Sequence, residues 1–126
     1  MRRAASLAEV AEWTHDRRTF HLNVAEFVDE FRRKPTGSRL TEEPRRLASV
    51  YADGEVADAY LAAVAVSLAR EIREPPPAWA WAEDRKLRRP WFAWPGPAVR
   101  ATLIAESPAP FRERNLFVSA NVLSRA

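Results

Sequence analysis

The chain has no cysteine, one methionine, two lysines and three glycines in 126 residues. Without cysteine there is neither a disulfide nor a thiolate metal site. The glycines, Gly37, Gly54 and Gly96, stand too far apart for a phosphate-cradling loop. No Walker pattern and no Gly-x-Ser-x-Gly elbow is present. The two histidines, His15 and His21, do not share one face of one helix. No further histidine completes a metal shell around them. No apolar run reaches the roughly 20 residues needed to cross a bilayer. No stretch alternates between apolar and polar for long enough to read as a strand.

What the chain does have is arginine, alanine, proline and tryptophan. Eighteen arginines against two lysines leave a formal net charge of +3 and a pI near 9.9. With so much alanine, this bias fits a GC-rich genome as readily as arginine chemistry. The pairs Arg2-Arg3, Arg17-Arg18, Arg32-Arg33, Arg45-Arg46 and Arg88-Arg89 are scattered. A DNA-reading helix gathers its cations on one face. The length suits one domain covering residues 1–126. The first residues begin like a signal peptide, but Glu9 and Glu12 interrupt the apolar run. A cytoplasmic protein is therefore expected.

The hydrophobic pattern is helical. From Ala59 to Val66 every residue is apolar or aromatic, which predicts a helix buried on most sides. This central helix is expected over 53–74, with Asp53 as N-cap and Pro75-Pro76-Pro77 as its stop. Ser6 and Glu9 have capping-box spacing and open a first helix. Phe20, Val24, Phe27, Val28 and Phe31 make one stripe and predict a second helix over about 19–34. Thr41 is placed to cap a short helix that takes in Glu42, Glu43 and Pro44. Pro97 opens a later helix that turns Val99, Leu103 and Ile104 inward. Ser107 is read as the cap of a turn carrying Phe111, and Ser119 as the cap of a last helix with Val122 and Leu123. The expected fold is all-α, an irregular bundle of about five or six helices around 53–74.

Residues 75–97 change character. Pro75, Pro76, Pro77, Pro90, Pro95 and Pro97 break regular structure, and Arg85, Lys86, Arg88 and Arg89 lie between the tryptophans Trp79, Trp81, Trp91 and Trp94. Aromatics among arginines can stack on bases and hold phosphates. The same residue types make protein interface hot spots, and they can also fold back as a lid on a core. Near the C-terminus, Phe111, Leu116, Phe117 and Val118 are anchors that leave Arg112, Arg114 and Asn115 as donors. Such donors suit a carboxylate or phosphate, or carbonyls of neighbouring helices. The acids Glu42, Glu43, Asp53, Glu55 and Asp58 offer carboxylate pairs, although they stand where caps and first-turn acids belong.

The segment Ser107-Pro108-Ala109-Pro110-Phe111-Arg112-Glu113-Arg114-Asn115-Leu116-Phe117-Val118-Ser119 resembles the tail of a group of small, largely uncharacterised bacterial helical proteins. Asp58-Ala59-Tyr60-Leu61-Ala62-Ala63, Pro77-Ala78-Trp79 and Pro90-Trp91-Phe92 fit the same pattern, so the resemblance covers roughly 53–126. Such proteins accompany toxin-like or nucleotidyltransferase-like genes or follow a helix-turn-helix domain. The resemblance implies an antitoxin-type or regulatory role and supplies no catalytic residue. This chain departs from the pattern in having no recognisable DNA-binding domain.

Three function classes follow. The favoured one is a non-catalytic partner-binding module for a protein encoded nearby, with Trp79, Trp81, Arg88, Arg89, Trp91, Trp94, Arg112, Arg114 and Asn115 as contacts. It needs no cofactor, metal or membrane, and it leaves homo-oligomers open. The alternative is nucleic-acid binding through 79–100 together with 112–114. The third is a small enzyme built on His15, His21 or the clustered acids, for which no complete catalytic set is present.

Overall fold

The computed structural model describes residues 3–124. It is mostly helical, as expected. The elements are α1 (Leu7–Glu12), α2 (Arg17–Arg33), α3 (Ser38–Thr41), α4 (Gly54–Glu71), β1 (Trp91–Phe92), α5 (Pro97–Glu106), α6 (Ala109–Arg112) and β2 (Leu116–Phe117). Two 3₁₀ turns, Ala78–Trp81 and Glu83–Arg85, lie between α4 and β1. No helix among the described residues is long and apolar enough to cross a membrane.

At α1 the Ser6 hydroxyl accepts the Glu9 amide at 3.2 Å. The Glu9 carboxylate accepts the Ala5 amide at 2.8 Å, so it reaches one residue beyond the capping-box target. Helix α2 starts earlier than its apolar stripe does. Asp16 caps it by accepting the Thr19 amide at 2.8 Å, and the Thr19 hydroxyl accepts the Asp16 amide in return. Phe20, Val24, Phe27, Val28 and Phe31 are all buried on α2. Each such side chain contributes about 1.5–3 kcal/mol when removed from water.

Helix α4 is the axis of the fold. Every residue from Ala57 to Val66 is buried, and so are Leu68 and Ala69. Alanines at 59, 62, 63, 65 and 69 keep its surface shallow, and the two 3₁₀ turns, α6 and β2 pack directly on it. Tyr60 meets Phe20 and Phe111 edge-on, with centroids 5.6 and 5.1 Å away. Asp53 occupies the expected N-cap position but makes no side-chain cap hydrogen bond. Gly54 is the first helical residue and lies under the preceding loop. A Cβ there would fall 1.7 Å from the Leu47 carbonyl oxygen. The helix closes on Arg73 in the left-handed region, φ +57°, with the Glu74 amide donating to Ala69 O at 2.9 Å. That position usually belongs to glycine.

Four further expectations need correction. The short helix ends at Thr41 rather than starting there, and 42–50 runs without regular structure, tied to side chains described below. On α5 Leu103 is buried, whereas Val99 and Ile104 face solvent. Ser107 does not cap α6. Its hydroxyl donates to Leu103 O and accepts the Val118 amide at 2.8 Å, tying the last turn of α5 to the strand end. Residues 119–123 form turns, with Val122 and Leu123 half-buried against the core. The sheet is also additional to the expected all-α fold. Trp91 pairs with Leu116 and Phe92 with Phe117, in parallel.

Candidate functional site

Residues 75–94 cross the surface of α4 and are held there by arginine. Arg85, in the second 3₁₀ turn, is fully buried. It donates to Pro44 O at 2.6 Å and to Asp58 O at 3.2 Å. Its guanidinium lies 3.4 Å from the Glu43 carboxylate and 3.9 Å from that of Asp58. The Trp79 ring stacks 4.9 Å from its central carbon.

Arg114 repeats the arrangement from the other side. It is fully buried and donates to Pro110 O and Ala80 O, each at 2.8 Å. The Trp81 ring lies 4.9 Å from its central carbon. Two buried guanidiniums thus hold the turn Ala78–Trp81, each against one of its tryptophans. The Nε atom of each has no hydrogen-bond partner among the described residues, and burial pulls both guanidinium pKa values down.

Asp58 completes the inner set. Its carboxylate accepts the amides of Leu47 and Ala48 at 2.6 and 3.1 Å. Burial raises its pKa, while those amides and Arg85 oppose the rise. Outside it, Arg46 bridges Glu43 and Asp84, with Nε 2.7 Å from Asp84 Oδ2. Hydrogen bonding to Arg46 lowers both acids' pKa values. The 42–48 loop, α4 and the 3₁₀ turns are therefore joined by one charged network.

The predicted contacts separate into three groups. Trp79 is half-buried on the core, its indole donating to Leu40 O at 3.0 Å. Arg114 is enclosed, so it is not a surface donor. Asn115 is in the left-handed region, φ +62°, and donates to Leu87 O at 2.8 Å, holding the approach to β1. These three position the arm. Trp81 is exposed at its edge, Trp91 is half-buried against the core, and Arg112 is exposed. Arg88, Arg89 and Trp94 remain open to solvent, Trp94 at 64 %.

Arg88, Arg89 and Trp91 line a groove of about 1040 Å³ with Lys86, Glu55 and Glu83. Past Trp94 comes α5. Of Pro97, Ala98, Val99, Ala101, Leu103, Ile104 and Ala105, Leu103 alone is buried. Arg100 lies 4.9 Å over the Phe92 ring, which stacks on Phe117 at 5.0 Å. Of the three residues that the spacing turns inward, Val99 and Ile104 face solvent. Their sequence spacing could not show that the core is already filled by α2, α4 and α6.

Asp58 and Arg85 are each named from the sequence, one as a first-turn acid and one in the Trp/Arg stretch, but that they meet is not legible there. The available signal for Asp58 was an acid directly before an apolar run, one turn from Leu61 on the buried stripe. His15 is exposed and apart from His21, whose ring meets Phe20 and Tyr60 edge-on at 5.5 and 6.0 Å. Burial lowers the His21 pKa, with Arg17 adding to the effect. No cluster of three histidine or acidic side chains suited to a metal occurs among the described residues.

Comparison with known proteins returns no match among family models, curated proteins or solved structures.

Proposed function

We propose that the chain is a non-catalytic partner-binding module and that its contact surface is the arm from Arg88 to Glu106. The observation that carries this reading is α5, an apolar helix that buries Leu103 and leaves Val99 and Ile104 exposed at 41 % and 49 %. A helix of this composition normally faces a core or a partner. Trp94 stands at its start, and aromatic side chains of this kind dominate interface energetics. Arg88, Arg89 and Arg100 accompany it without acidic partners among the described residues. The partner surface is therefore a protein face that is apolar at its centre and acidic at its rim. The resemblance of the tail adds an antitoxin-type or regulatory setting, with a cytoplasmic partner encoded nearby.

The test is affinity capture from host extract after nuclease treatment, followed by reconstitution with the purified candidate partner. A stoichiometric complex that is lost in the Trp94→Ala, Ile104→Glu double variant is the expected result. A complex indifferent to both substitutions overturns the surface assignment. The same unpaired cations beside Trp91 and Trp94 support a second reading, nucleic-acid binding. Its signature is capture that disappears with nuclease and an affinity that falls steeply with salt.

A further inference from the structure

A second concavity lies between Gly37 with α3 on one side and residues 74–79 on the other. It measures about 320 Å³ and is lined by Gly37, Leu40, Ala69, Pro75, Pro77 and Trp79, with Glu74 at its wall. Small-ligand sites begin at about this volume. Its walls are mainly apolar, with Thr41 among them, and Glu74, at the exposed rim, is the one titratable side chain on them. The Glu74 carboxylate has no hydrogen-bond or ion-pair partner among the described residues.

Backbone and side-chain geometry hold both walls. The left-handed Arg73 and the bond from the Glu74 amide to Ala69 O set where residue 74 leaves α4. The Glu74 side chain then lies over Gly37, where a Cβ would come 2.7 Å from Oε1 and 3.1 Å from Cδ. A Cβ at 37 would require the free end of the Glu74 side chain to shift. Across the pocket, the hydrogen bond to Leu40 O orients the Trp79 indole. Arg85 already stacks on that ring. The indole thus serves as an apolar wall, and charge selection belongs to Glu74.

We propose that this pocket binds an alkylammonium group, its positive end on Glu74 and its stem along Leu40, Pro77 and Trp79. An amine of ordinary pKa near 10.4 stays charged at neutral pH, and a cavity of about 320 Å³ has room for a short alkyl stem. The chemistry is shared by a free alkylamine and by a lysine side chain of another protein. The site is separate from the arm surface and stands or falls independently of it.

The test is an amide and indole NMR titration of the full chain with n-butylammonium, with 1-butanol as the neutral control. Saturable shifts are expected at the Trp79 indole N–H and the Gly37 and Ala78 amides, for the ammonium only. Affinity should drop at least tenfold in Glu74→Gln, with the remaining resonances unchanged. Equal binding of butanol, undiminished binding in Glu74→Gln, or no saturable shift at these positions overturns the proposal. A parallel titration with N-acetyl-lysine-N-methylamide separates the sources. Tighter binding than butylammonium assigns a partner's lysine, and weaker binding assigns a free amine.

Discussion

Asp58 accepts two loop amides while Arg85 donates to the Asp58 carbonyl from the same side. Removing the carboxylate leaves two loop amides without acceptors and takes from Arg85 the farther of its two anions, Glu43 remaining at 3.4 Å. Asp58→Ala is expected to lower unfolding stability by about 1–3 kcal/mol for each buried amide left without an acceptor. Urea denaturation checks it, and an unchanged midpoint would show that the loop is held by other contacts. The outer pairs act in the opposite pH sense from Asp58. Glu43 and Asp84 have lowered pKa values, so their contribution is present above the ordinary carboxylate range and is lost as pH falls through the folded values. Burial raises the Asp58 pKa, so its share is greatest at low pH and shrinks as pH rises through the folded value. Arg46→Ala should therefore flatten the loss of stability as pH falls below the ordinary carboxylate range. The effect stays small, because exposed pairs contribute about 0–1 kcal/mol. A stability profile that keeps the wild-type slope over that range contradicts this assignment.

Among the elements, α4 depends most on a single residue. Gly54 starts it beneath the Leu47 carbonyl. In an open helix, alanine for glycine would be favourable by about 1 kcal/mol. Here the added Cβ meets backbone, so Gly54→Ala is expected to destabilise by more than about 3 kcal/mol, beyond ordinary core overpacking. Thermal unfolding with a melting temperature at or above wild type would show that the loop yields. The same loop explains why no helix runs from Thr41. Residues 42–48 accept from Arg85 at Pro44 O and donate to Asp58 at Leu47 and Ala48. Those long-range bonds outweigh the local preference of a Thr-Glu-Glu-Pro start. At the other end of α4, Arg73 takes a left-handed conformation because the chain must turn into three prolines.

For the whole molecule, the core and the arm surface are separable. Helix α5 contacts the rest of the fold mainly through β2, and its exposed residues carry little folding energy. Ile104→Glu is thus expected to leave unfolding stability within about 0.5 kcal/mol of wild type, as surface substitutions usually do. Partner capture should still be lost. Loss of stability in step with loss of capture would mean that α5 belongs to the core and not to an interface. Arg88, Arg89 and Trp94 stay available for the same reason, since neither arginine clamp reaches them.

The sequence by itself determined the helical class, the buried central helix and the apolar stripe of α2. Each is a local periodicity, and local periodicity is written along the chain. It also marked 75–97 as irregular, because proline acts where it stands. Tertiary structure alone decided which tryptophans face water, that Arg114 is enclosed while Arg88 is free, and that Asp58 anchors a loop instead of a helix end. It also decided that residues 91–92 and 116–117 pair as strands. Each of these depends on contacts between residues far apart in sequence, where the identity of a side chain does not disclose its neighbour. An arginine reads the same whether it meets solvent or a buried carbonyl, and only the packing around α4 separates the two.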